Sequence, residues 1–138
     1  MLWQRIDLDG YWLATVVYVP LEDDMPGVAD ALAGLGCPDE DIAAVWYSMT
    51  VEWNRGYTWS NPSRRRSITL IGRATSWPEF FDTVLHETRH IVDEIAAAYD
   101  VLGYGEPPAY TQGEIGRLMA PMIKRIMCPC CGLENPLI

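Results

Sequence analysis

Residues 11 to 20, YWLATVVYVP, form a nearly unbroken apolar run of β-branched and aromatic residues closing on Pro20. Such a run predicts a buried strand in preference to a helix. After the acidic turn at Glu22, Asp23 and Asp24, an Ala-rich stretch from Val28 to Leu35 is bounded by Gly34 and Gly36, which predicts a short helix. Pro38 opens a second helix whose first turn carries Asp39, Glu40 and Asp41, acids that suit the positive end of a helix dipole. There Ile42, Val45, Trp46, Met49 and Trp53 recur at helical spacing as a core-facing stripe, and the helix stops near Gly56. Residues 56 to 66, GYTWSNPSRRR, are rich in Gly, Ser, Asn and Pro and predict a loop leading into a strand from Ser67 to Gly72.

The second half of the chain is helical in pattern. Ser76 and Glu79 spell a capping box, with Ser76 accepting a backbone N–H and Glu79 reaching back to the cap. The helix that follows places Phe81, Val84, Leu85, Ile91, Val92, Ile95 and Tyr99 on one side and ends before Gly103. A last helix is expected from about Pro107 to Met127, bent at Pro121, where the i−4 hydrogen bond cannot form.

At 138 residues and 49% hydrophobic content, with six Trp and seven Tyr, the chain suits one domain spanning 1–138 with enough apolar surface to fold. Its net charge of −9 argues against nucleic acid or an anionic membrane as partner. The basic run Arg64, Arg65 and Arg66 reads chiefly as a solvated turn protecting a sheet edge, with an acidic partner as the alternative. No window approaches the roughly 18 apolar residues of a membrane span, and no secretion signal is evident, so a cytoplasmic protein is expected.

The two histidines of the chain are His86 and His90, with Glu87 between them, giving HETRH inside the long helix. Chance produces this arrangement roughly once in a thousand chains of the same composition. Residues four apart lie one above the other on a helix, so both imidazoles can reach one Zn²⁺ at about 2.0 to 2.1 Å, with Glu87 beside them as general base. The histidines fall opposite the expected apolar stripe, which separates them from ordinary core histidines. A third ligand is needed, and with no further histidine a carboxylate is the natural one; Glu106 and Glu114 are the candidates. Glu94 lies about 12 Å of helix rise from His86 and is excluded, while Asp93 is placed to accept from an imidazole N–H.

The run from Asn54 to Met119, with NRGYTWSN, RSITLIG, TSWPEFFDTVLHETRHIVDEI and EPPAYTQGEIGRLM, resembles small phage- and Bacteroides-type zincin-like proteins described as metallopeptidases. The resemblance covers about half of the chain. It implies a zincin-type α+β fold, a small sheet packed on an HExxH helix and a following ligand-bearing helix, with SITLIG as the strand beside the cleft. It also implies a gluzincin-like site, HExxH followed by E-x-x-A-Y-x-x-G, matched here by His86, Glu87, His90, Glu106, Ala109, Tyr110 and Gly113.

The functional expectation is therefore a zinc metallopeptidase, a hydrolase of peptide or protein substrates, in which His86, His90 and Glu106 hold Zn²⁺. Glu87 moves the proton and Tyr110 stabilises the oxyanion. The alternative is a non-catalytic zinc-stabilised binding module of phage or mobile-element origin. Cys128 and Cys131 have the spacing of half a zinc knuckle with Cys130 inside it, and Cys37 is 91 residues away. Reduced thiols are the expectation, with a homodimer through Cys128, Cys130 and Cys131 as a further one.

Overall fold

A computed structural model of the chain describes residues 2–52 and 55–127. The described elements are β1 (Leu2–Leu8), β2 (Trp12–Tyr18), α1 (Met25–Leu35), α2 (Asp39–Val51), β3 (Gly56–Asn61), β4 (Arg66–Ile71), α3 (Trp77–Ala98) and α4 (Glu106–Met127). The fold is α+β: one mixed four-stranded sheet, ordered β1-β2-β4-β3, with helices on both faces. β1 and β2 pair antiparallel, β2 and β4 parallel, and β3 and β4 antiparallel.

On one face, Ile6, Trp12, Val16 and Ile71 pack against Phe80, Val84, Ile91 and Ile95 of α3 and Ile115 and Met119 of α4. On the other, Val17, Ile68 and Leu70 meet Val28 and Leu32 of α1 and Val45 and Met49 of α2. This double coverage explains the lack of alternation in β2: a strand covered on both sides reads as a continuous apolar run. Cys37 belongs to the second core, where burial pushes its thiol pKa up while a hydrogen bond with Tyr57 pulls it down. A buried thiol of this kind is inert, so Cys37 is expected to resist iodoacetamide at neutral pH in the folded protein and to react once unfolded. Residue-resolved mass spectrometry checks this; rapid labelling of native Cys37 would refute it.

Two strands depart from the sequence reading. β1 was not expected; its burial alternates along the strand, and Asp9 and Gly10, both at positive φ, close a tight hairpin into β2. Asp-Gly between two strands is a strong short-range hairpin signal. The expected loop over 56–66 is instead β3 followed by a single 3₁₀ turn, Pro62–Arg64. The turn-forming residues sit at its end, while Tyr57, Thr58 and Trp59 are good strand formers that pair with β4. The expected strand at 67–72 is present as β4, and the expected helix at 28–35 begins earlier, at Met25, with Pro in its first turn.

Ser76 caps α3, its Oγ accepting from the Glu79 N–H at 3.3 Å. The Glu79 carboxylate reaches one residue further back than expected and accepts from the Thr75 N–H at 2.8 Å and from the Thr75 hydroxyl. The buried face of α3 is also rotated from the expected stripe: Phe80 is buried, whereas Phe81 and Leu85 are 40% and 60% exposed. The sheet takes the line through Phe80, Val84, Glu87, Thr88 and Ile91, so Glu87 lies on the buried side. α4 stays helical through Pro121, and the C-terminal cysteines lie outside the described residues. Among the described residues no helix is long and apolar enough to cross a membrane.

Candidate metal centre

α3 presents His86 and His90 on its exposed side with Glu87 buried beneath them, and their potential ligand atoms all lie within 4.8 Å of one another. The two Nε2 atoms stand 3.1 Å apart, with ring centroids at 4.8 Å and planes at 76°. Two nitrogens bound tetrahedrally to one zinc ion would stand about 3.4 Å apart, close to this spacing, which is also that of a direct hydrogen bond between the two rings. This group can hold a metal ion.

Glu87 is only 5% exposed, and it is held. The Thr58 hydroxyl donates to Glu87 Oε2 at 2.8 Å and lies 3.0 Å from the Thr69 hydroxyl. With the Thr58 proton spent on the carboxylate, Thr69 is the donor in the second contact, so β4, β3 and α3 are linked by one hydrogen-bonded chain. Gly56 completes the seat: a Cβ there would lie 2.5 Å from Glu87 Cγ and 2.8 Å from both Glu87 Oε1 and Thr83 Cγ2. A cleft of about 290 Å³ opens beside this group between the start of β3 and the first half of α3, lined by Arg55, Gly56, Glu79, Asp82, Thr83, His86 and Glu87. The strand beside the cleft is thus β3 and not SITLIG, which lies one position further into the sheet as β4. Thr58 and Gly56 were missed because the segment holding them read as loop.

The remaining expected site residues are placed elsewhere. Glu106, the first residue of α4, is exposed and Glu114 half-buried, and both lie outside the His86, Glu87 and His90 group. The reason is the docking of α4. It packs antiparallel to α3, with Gln112 Nε2 donating to Thr88 Oγ1 at 2.8 Å. Its Pro107 and Pro108 line a cavity with Val92, Ile95 and Ala96, on the flank of α3 away from β3. Glu114 pairs with Arg117 at 2.7 Å, and that hydrogen bond holds its carboxyl pKa down. Tyr110 is 74% exposed on α4. Asp93 accepts from Arg89 Nε at 2.9 Å in place of an imidazole.

No protein-family model, curated protein or solved structure matches the chain. The functional reading therefore rests on the chemistry of these residues.

Proposed function

We propose that this protein is a zinc-dependent peptidase with a zincin-like arrangement of helix and sheet. The observation that carries the reading is the convergence of two imidazole nitrogens beside a buried, hydrogen-bonded carboxylate at the mouth of a polar cleft. His86 and His90 would hold the ion. When bound, zinc supplies a Lewis acid that acidifies water and polarises a carbonyl. The chain supplies the rest. Glu87 takes the proton from the attacking water and returns it to the leaving amine, and the bond from Thr58 fixes which carboxylate oxygen faces the cleft. β3 is the last strand of the sheet, so its outer edge offers backbone donors and acceptors to an extended peptide laid beside Glu87.

As α4 is docked, the two imidazoles would hold the ion one side chain short of the three protein ligands usual at a catalytic zinc, and Glu106 is left aside. Purified protein is expected to carry about one zinc per chain. His86→Ala should lose it, and Glu106→Gln should keep it. Elemental analysis of the two variants checks both points. Zinc lost only in Glu106→Gln would restore that carboxylate as a ligand, and full retention in His86→Ala would move the metal elsewhere.

A second reading, a metal-stabilised binding module without turnover, is favoured by one observation. Among the described residues no third side chain of ligand type joins the histidines beyond Glu87. Zinc retention without hydrolysis across a broad peptide library would decide for it.

A further inference from the structure

Four of the ten basic residues of this acidic chain gather at one end of the sheet, Arg5 and Arg66 on the face that α1 covers and Arg65 turned toward the end of α3. Arg5 lies on β1 opposite Thr15, and Arg66 lies on β4 opposite Leu13, so the two flank β2. Arg64 and Arg65 come from the β3–β4 turn. The turn is pinned: Asn61 accepts from the Arg64 N–H at 3.2 Å and donates from Nδ2 to the Leu35 carbonyl at 2.9 Å.

The four guanidiniums do not share one role. Arg65 donates to the Ala98 carbonyl at 3.0 Å and stacks 4.3 Å over the Tyr99 ring, which accounts for it as a structural tie. Arg64 spends one nitrogen on the Gly34 carbonyl at 2.7 Å and keeps its other donors. Among the described residues, Arg5 and Arg66 make no ion pair and no side-chain hydrogen bond, so the fold does not use their charges. Of the two cavities the arginines share, one brings Asp7 beside them and the other brings no carboxylate, so an anionic ligand in the second would offset their mutual repulsion.

Between α1 and the sheet lies a cavity of about 190 Å³, walled by Arg5, Arg64, Arg66 and Thr15 and containing no carboxylate in its lining. Asp7 lines the adjoining cavity of about 380 Å³ with the same three arginines and Arg65, and its Oδ1 accepts from the Gly10 N–H at 2.8 Å. By strand spacing, the backbones of Arg5 and Arg66 stand about 12 Å apart, a gap two extended arginines close around one small anion.

We propose that this cavity binds a compact, multiply charged oxyanion, a phosphate group or a set of paired carboxylates, through Arg5, Arg64 and Arg66. The planar guanidinium fork matches both kinds of group. A long polyanion does not fit, because the net charge of −9 repels it beyond the patch. The site lies across the sheet from His86 and His90 and is independent of the peptidase reading.

The test is NMR titration of the full ¹⁵N-labelled chain with inorganic phosphate and, separately, with citrate, at constant ionic strength and with chloride as baseline. Saturable shifts at the amides of Arg5, Leu13, Thr15 and Arg66 are expected with at least one of them. Phosphate alone would identify the phosphate group as ligand, and citrate alone the paired carboxylates. Arg5→Gln and Arg66→Gln together should weaken binding at least tenfold without lowering the melting temperature, and Arg89→Gln, on α3, should leave binding intact. Shifts no larger than with chloride, or full binding by the double variant, would overturn the proposal.

Discussion

Replacing Glu87 with Gln is expected to lower peptide hydrolysis by on the order of 100-fold or more while the metal stays bound. The substitution keeps the shape of the side chain and its contact with Thr58, and it removes the group that accepts a proton. The imidazoles are untouched, so zinc content should match the wild type, a pairing that separates loss of the base from loss of the site. The expected split is in kcat, because on the proposed function Glu87 acts on the reacting water and does not grip the peptide. Hydrolysis at the wild-type rate would remove Glu87 as the base. Parallel loss of zinc would mean that the carboxylate holds the metal.

Gly56→Ala should produce the largest structural effect of any single methyl group in the chain's glycines with described surroundings. The added carbon would lie 2.5 Å from Glu87 Cγ, and Thr83 Cγ2 blocks the other side at 2.8 Å. β3 must shift outward or Glu87 must leave its seat. Overpacking of this kind costs about 1–3 kcal/mol, and for a chain of this size each kcal/mol lowers the melting temperature by about 3 °C. Activity should fall with it, since the hydrogen bond from Thr58 depends on the same approach of β3 to α3. Gly113→Ala is the matched control: it lies in α4 with nothing within 4 Å of the new carbon, so helix propensity should stabilise by about 0.5–1 kcal/mol. Thermal unfolding of the two variants provides the comparison, and equal melting temperatures would show that the contact at Gly56 is soft.

The parts of this architecture that depend on neighbouring residues were legible in the sequence. Ser76 caps α3, Pro38 stands at the head of α2, and the spacing of His86 and His90 places both imidazoles on one line of a helix. What depends on distant partners was not. Phe80 and Phe81 are equally apolar, and only the sheet beneath α3 decides that the first is buried and the second half-exposed. β3 carries Gly, Ser and Asn and becomes a strand because β4 supplies its hydrogen bonds. The position of Glu106 follows from the depth at which α4 docks, set by Ile115, Met119 and the Gln112–Thr88 contact, none of which leaves a local trace. Glu87 shows the same division: its place beside the histidines is a matter of spacing, and its burial under Thr58 is a matter of tertiary packing.

The parallel pairing of β2 with β4 gives the two halves of the centre different folding requirements. Those strands are partners across α1, α2 and β3, and closing so long a loop costs entropy before any contact repays it. The imidazole pair needs only one helical turn and exists as soon as α3 does. Thr58 and Gly56 reach Glu87 only after β3 has joined β4 and the sheet has met α3. The centre is therefore two units with different folding requirements, a local imidazole pair and a non-local carboxylate, and a partially unfolded chain that captured metal would lack an oriented Glu87. On the proposed function, such separation would tie turnover to the completed tertiary structure and leave metal capture free of it.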